Sequence, residues 1–232
     1  MLILAIDTST RSGSLAVLRD AEILGVVSEW RGEPYSSALF EQTESLLQRL
    51  RIGLKQMDLF AVAAGPGSFT GLRVGLTAVK GWAEVYGKPI AAVSGLEAVA
   101  AQAKQEDSLL APVLDARRGQ VFGALYECGG GKLNREGDEV VMTPTEYLAW
   151  LEEKIRERPV TFVTPTPEVI GEAVGASRFA GGQIEKVSAV LAPIIGQLGL
   201  ARARRGELVD ALTLDANYVR RSDAELFWKE PQ

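Results

Sequence analysis

The chain contains no histidine. That absence removes Ser-His-Asp and Cys-His nucleophile systems, imidazole proton shuttles and histidine-ligated metals together, leaving carboxylate, Lys, Tyr or Ser chemistry. Cysteine is nearly absent: Cys128 stands alone, so no intramolecular disulfide can form and a reducing cytoplasmic setting fits. Long apolar runs are missing too. Leu2–Ile6 is interrupted by Asp7 and has no basic leader, and no other stretch approaches membrane-spanning length, so no membrane association is expected. An excess of positive charge is also lacking. A net charge of −5 repels a polyanion, so the chain alone is not expected to bind nucleic acid tightly unless its cations cluster, while a site shared with a basic partner stays open.

What is present reads as an ordinary folded chain. With 232 residues, 47% apolar and 24% charged, it has enough material for one large domain or two small lobes. Three β-like segments come first, at Leu2–Ile6, Ser14–Leu18 and Ile23–Glu29, with short connections that suit hairpins. The period then changes. Leu39, Phe40, Thr43, Leu46, Leu47 and Leu50 follow three-and-four spacing, Ser36 or Ser37 can cap that helix, and Gly53 lies where it stops. A strand at Leu59–Ala64, a glycine-rich loop at Gly65–Gly71, a helix at Leu72–Tyr86 and a strand at Ile90–Val93 compose a βαβ unit. Ser94 and Glu97 have capping-box spacing ahead of a further helix through Ala98–Lys104.

The second half repeats this plan. Strands at Leu109–Ala116, Val121–Glu127 and Glu139–Met142 precede a helix opened by Thr143, Pro144 and Glu146, then a strand at Val160–Val163 and helices near Glu168–Val174 and Ala189–Arg204. Ala5-Ile6-Asp7-Thr8 followed by Gly13-Ser14-Leu15 is echoed by Val113-Leu114-Asp115-Ala116 followed by Gly119-Gln120-Val121. Two mixed sheets flanked by helices, each led by a three-stranded antiparallel portion, point to an α/β class and the duplicated actin-like, ribonuclease-H-like fold. The expected lobes are residues 1–105 and 106–232, the second less complete because Gly171–Gly182 gives a weak pattern.

Four features carry the chemistry. Asp7-Thr8-Ser9-Thr10 after the first strand could meet a phosphate or a hydrated cation, but a hairpin turn satisfied by its own side chains is the plainer reading. Asp115-Ala116-Arg117-Arg118 lacks the small residues a second phosphate loop needs, so ATP binding by this chain alone is not expected. The string Gly65-Pro66-Gly67-Ser68-Phe69-Thr70-Gly71-Leu72-Arg73 joins a strand to a helix start without the Gly-Lys-Ser/Thr of a phosphate-binding loop. It suits a tight turn as well as an anion site. Helix 72–86 has two apolar stripes, one of Leu72, Leu76, Val79, Ala83 and Tyr86 and one of Gly75, Ala78, Trp82 and Val85. Either both pack inside the chain, or this helix and helix 38–50 share a face for another protein, with Leu39, Thr43, Leu46, Gly75, Ala78 and Trp82 on it. Asp7, Glu41, Glu44 and Asp115 as a two-metal nuclease cluster, Arg220-Arg221 as an RNA contact and the charged run Glu152–Arg158 all have plainer readings as solvated surface.

Asp7-Thr8-Ser9, the string Gly65–Gly75, Leu114–Gly119 and Asn217-Tyr218-Val219-Arg220-Arg221 together resemble the bacterial TsaB, or YeaZ, family from residue 1 to about 225. The resemblance implies an actin-like-fold, non-catalytic scaffold and activating subunit of the machinery that adds threonylcarbamoyl to adenosine 37 of tRNAs. Its implied partners are a TsaD-type transferase, which it meets through its first two helices, and a TsaE-type ATPase. tRNA is reached through the complex. No metal and no tightly bound cofactor is implied, with a place for ATP or ADP only at the joint between subunits. The resemblance favours the shared helix face. Many relatives have histidine before the serine that opens the first helix, where this chain has Tyr35-Ser36, so no role of that imidazole carries over. The label of glycoprotease given to some relatives finds no nucleophile–base pair here. An uncovered apolar helix face would also let two copies pair when the partner is missing. The chief rival is a stand-alone actin-fold ATP-dependent phosphotransferase with Asp7 as metal-binding acid and Asp115 as base.

Overall fold

The computed structural model describes residues 1–28, 35–105, 108–130 and 132–220, the side chains of Tyr35 and Ser36 excepted. The first sheet consists of β1 (Leu2–Asp7), β2 (Ser14–Arg19), β3 (Glu22–Val27), β4 (Leu59–Gly65) and β5 (Ile90–Ser94), in the order β3-β2-β1-β4-β5. The first three pair antiparallel as successive hairpins, whereas β4 and β5 join in parallel after helices α1 (Tyr35–Leu50) and α2 (Phe69–Tyr86). Period-two alternation sends Leu4, Ile6, Leu15, Val17, Phe60 and Val62 towards α1 and α2. Ile3, Ala5, Ala16, Leu18, Leu59 and Ala61 point the other way, into the middle of the molecule.

The second sheet repeats the order. Its main path is β10 (Val140–Met142), β7 (Gln120–Gly123), β6 (Ser108–Arg117), β11 (Val160–Thr164) and β12 (Ile184–Lys186). Its additional hairpin, β8 (Tyr126–Gly129) and β9 (Lys132–Arg135), attaches to the first half of β6. The strand expected at 121–127 is thus two strands. Gly123 is its last paired residue towards β10, and the chain then crosses to the other end of β6. Neither β9 nor β12 has enough apolar alternation to be read from sequence; each is exposed or half-buried throughout.

The strands divide between the sheets near residue 105, and residues 106–107, where the lobe boundary was expected, lie outside the described residues. The helices cross over. α3 (Gly95–Ala100) packs on β6 of the second sheet, while α6 (Ala192–Arg205) lies along β1, β2 and β4 of the first. Together they fill one apolar layer between the sheets, with α1 and α2 outside the first sheet and α4 (Pro144–Ile155) and α5 (Gly171–Gly175) outside the second. Small residues permit the close seat of α6: a Cβ on Gly199 would stand 2.8 Å from that of Ala61. This is the duplicated arrangement expected from the strand–helix repeat.

Local chemistry sets the helix ends. Thr143 and Glu146 form the expected capping box ahead of α4 with Pro144 in its first turn. Ser94 caps α3 as expected, but Glu97 does not complete a box; it pairs with Arg202 of α6 at 2.5 Å, and the helix ends at Ala100 rather than 104. α1 stops at Leu50, with Arg51 turning at φ 55°, three residues ahead of the glycine expected to end it. The two residues expected to cap it, Ser36 or Ser37, both fall inside the helix, which is described from Tyr35, and the last residue of the third expected strand, Glu29, lies outside the described residues.

Candidate functional site

The turn after β1 is closed upon itself. Asp7, Thr8 and Ser9 are buried, and the Asp7 carboxylate accepts the Ser9 N–H at 2.8 Å, the Ser9 hydroxyl at 2.6 Å and the Thr10 hydroxyl at 3.0 Å. Burial pushes the Asp7 carboxyl pKa up, and the bonds from Ser9 and Thr10 pull it part of the way back. Thr8 donates its hydroxyl to the Gly71 carbonyl at 2.7 Å, and the Ser68 N–H donates to the Ser9 carbonyl at 2.8 Å. The carboxylate and hydroxyls that could have met a phosphate or a cation are engaged within the chain.

The glycine string is built for this contact. α2 begins at Phe69, three residues earlier than its apolar stripe indicates, because the Ser68 hydroxyl accepts the Gly71 N–H and caps the helix there. Gly65, Pro66 and Gly67 remain as the strand end and connecting turn. A Cβ on Gly67, Gly71 or Gly75 would fall 2.5, 2.0 or 2.4 Å from an atom of Ser9 or Thr8. The string therefore lets the first turn lie directly on the opening turns of α2, which answers the choice between tight packing and an anion cradle.

A C-terminal strap brings the remaining motifs to the same place. The Asn217 N–H donates to the Ala64 carbonyl at 2.7 Å, the Tyr218 ring stacks on Phe69 at 4.9 Å, and Arg73 Nε donates to the Tyr218 hydroxyl at 3.2 Å. Two residues on, Arg220 donates to the Ala116 carbonyl and to Gln120, next to the left-handed turn of Arg117, Arg118 and Gly119 with φ of 64°, 56° and 70°. Asp115 at the end of β6 is exposed and accepts the Arg117 N–H. Four strings far apart in sequence, at 7–10, 65–75, 114–119 and 217–220, thus meet around the strap; Arg221 lies outside the described residues.

Beside the strap, α1 and α2 leave an apolar groove of about 420 Å³ lined by Phe40, Phe69, Thr70, Arg73, Val74, Thr77 and Ala78. The expected interface residues are placed differently from the sequence reading. Leu39, Thr43, Leu46 and Gly75 are buried in the chain's own core, Thr43 donating its hydroxyl to the Leu39 carbonyl; Ala78 is buried too but borders the groove, and Trp82 is half-buried between Phe60 and Phe40. The correction has a plain cause: that stripe packs the two helices on each other and on β4. The residues left outside are Phe40, 53% exposed, Val85, 74% exposed, and the groove residues Phe69, Arg73, Val74 and Thr77. Phe40, counted with the apolar pattern of this helix, lies one position off the buried Leu39-Thr43-Leu46 line and turns its ring out of the core. Asp7, Glu41, Glu44 and Asp115 do not gather, and no group of three acidic or cysteine side chains with metal-binding spacing occurs among the described residues. Among those residues, no helix is long and apolar enough to cross a membrane.

Residues 16–195 match the family model described as TsaD: tRNA N6-adenosine threonylcarbamoyltransferase. A protein of Bacillus subtilis named tRNA threonylcarbamoyladenosine biosynthesis protein TsaB is 32% identical over 100% of both chains. A Thermodesulfovibrio yellowstonii tRNA N6-adenosine threonylcarbamoyltransferase is 35% identical over 42% of this chain and 34% of its own length. Among solved structures, YeaZ from Pseudomonas aeruginosa superposes with a TM-score of 0.73 at 24% identity, covering 94% of this chain and 99% of that one, which matches the fold.

Proposed function

The chain belongs to the TsaB (YeaZ) family of tRNA threonylcarbamoyladenosine biosynthesis proteins, and we propose that it works there as a non-catalytic subunit that docks a TsaD-type transferase on the α1–α2 groove. One observation carries this reading: the turn where an actin-like enzyme would hold a phosphate is closed, while the adjoining helix face is open and apolar. With Asp7 turned inward, no carboxylate at that turn is free to hold a metal or take a proton. What the site offers instead is Phe40, Val74 and the Arg73–Phe69 stack, an aromatic and arginine surface of the kind that anchors protein interfaces. The shared ancestry of the two subunits suits a pairing of like folds. On this reading a TsaE-type ATPase and tRNA join through the complex, any nucleotide sits only where subunits meet, and the assembly works in the cytoplasm. The same face allows two copies to pair when the transferase is missing.

The test is threonylcarbamoylation of tRNA by the TsaD-type and TsaE-type proteins of the same organism, supplied with ATP and a threonylcarbamoyl donor, with and without this chain. Product should require the chain, the chain alone should form none, and Phe40→Asp should weaken transferase binding by about 2 kcal/mol, roughly thirtyfold. Product yield indifferent to the chain, together with Mg-ATP binding by the isolated chain that Asp7→Ala abolishes, would establish a stand-alone phosphotransferase instead.

A further inference from the structure

The strap, described as far as Arg220, touches both sheets, and one buried carboxylate holds it. Glu139, just before β10, accepts hydrogen bonds from the Ser94 hydroxyl on one oxygen and from the Asn217 side-chain amide on the other. Its side chain is 1% exposed, with Arg135 Nη1 at 3.6 Å. The Tyr126 hydroxyl favours its charged form, and the Glu97 carboxylate, itself paired with Arg202, opposes it. Burial raises the Glu139 pKa, opposed by the Ser94 bond and by Arg135.

The donors define what residue 139 must be. The Ser94 oxygen already accepts the N–H groups of Leu96 and Glu97 at the α3 cap, so only its proton faces Glu139. The Asn217 amide nitrogen offers only protons. Two donors converging on one buried side chain call for two acceptor oxygens. A carboxylate meets that need with both side chains as they stand; an amide meets it only if the Asn217 side chain turns over to present its oxygen.

Asn217 is also the point where the strap meets the first sheet, through its N–H on Ala64 and its carbonyl against Gly65, where a Cβ would stand 2.5 Å away. The next residue, Tyr218, braces Phe69 and Arg73, both of them walls of the α1–α2 groove. We propose that Glu139 and Asn217 form a clasp through which the edge of the second sheet positions the partner face of the first, making Glu139 a positioning residue for a surface it does not touch. The clasp itself stands on geometry; its consequence for docking rests on the proposed partner reading.

The exchange of one polar group tests it in the full chain. Glu139→Met removes both acceptor oxygens, and Asn217→Asp sets two carboxylates together. The double variant E139Q/N217D restores both bonds with the carboxylate on the other partner. Amide hydrogen exchange of Asn217, whose N–H is bonded to Ala64, should quicken about tenfold or more in either single variant and return most of the way in the double, while Ile6 and Val62 in the sheet stay as in the parent. A general loss of stability unrelated to this pair would not be rescued by the swap. Unchanged exchange in both single variants overturns the clasp, and so does a double variant no better protected, or no better folded, than the worse single. Transferase affinity read on the same proteins separates the two claims. If exchange follows the clasp and affinity does not, the clasp holds but does not position the docking face, and Phe40→Asp, which should still weaken binding, tells whether that face docks at all.

Discussion

Replacing Gly71 by alanine should destabilise the protein even though alanine is the better helix former. In a helix interior the exchange gains about 1 kcal/mol, and the same change at Gly81, exposed on α2 with nothing within 4 Å of a new Cβ, should deliver about that. At Gly71 the new carbon would stand 2.0 Å from the Thr8 carbonyl oxygen, against 3.4 Å or more for ordinary contact. That oxygen belongs to the backbone of a buried turn. Thr8 cannot retreat without breaking its hydroxyl bond to Gly71 and disturbing the three bonds on the Asp7 carboxylate. Overpacking of this kind costs about 1–3 kcal/mol, and the loss of one turn hydrogen bond adds about 1 kcal/mol. Set against a small propensity gain near the helix start, Gly71→Ala should lose roughly 2–3 kcal/mol. Urea unfolding followed by circular dichroism reads both variants. The midpoint should rise for Gly81→Ala and fall for Gly71→Ala with the slope unchanged, and melting temperatures should move about 2–4 °C per kcal/mol in opposite directions. A Gly71→Ala protein as stable as the parent would refute the seating of the first turn on α2, and with it the account of the glycine string.

Other consequences follow from the same geometry. Asp7→Asn should gain stability relative to the parent as pH rises, because it removes a buried charge, although its amide can accept on one side of the turn only. Burial raises the Asp7 pKa in the fold, so the native chain favours the protonated acid more than the unfolded chain does. The ionised form therefore costs stability above the folded pKa, and the cost fades as pH falls towards the unfolded value. The variant's advantage measured by urea unfolding should accordingly shrink between pH 7 and pH 4; an advantage that grows on acidification contradicts the argument. Tyr147→Phe removes a buried hydroxyl that donates to the Ala124 carbonyl at 2.6 Å, and should lower stability by about 1–2 kcal/mol without altering transferase binding. Arg202→Met leaves Glu97 without its cation in the layer between the sheets, so it should destabilise more than Arg202→Met combined with Glu97→Gln, a non-additivity that a double-mutant cycle on urea unfolding detects.

The elements that rest on local physics are legible in the residues alone. Alternating apolar residues in Leu2–Ile6 and Leu59–Ala64 made buried strands legible, and the capping box at Thr143–Glu146 and the echo of Asp7 in Asp115 exposed a helix start and a duplication. These signals lie within a few residues of one another. The absence of histidine likewise excluded whole classes of chemistry without reference to shape. Tertiary structure decided everything that depends on which segments meet. Leu39, Thr43, Leu46 and Phe40 belong to one helical pattern, and only the position of β4 and α2 buries the first three and leaves the ring of the fourth outside. Helix periodicity marks an apolar face but not its neighbour, so the crossing of α6 onto the first sheet could not be read from Ala192–Arg205. Glu139 is one of 30 acidic residues with nothing local to distinguish it, because its partners Ser94 and Asn217 lie 45 and 78 residues away. A buried carboxylate is defined by the donors around it, and only the folded chain assembles those donors.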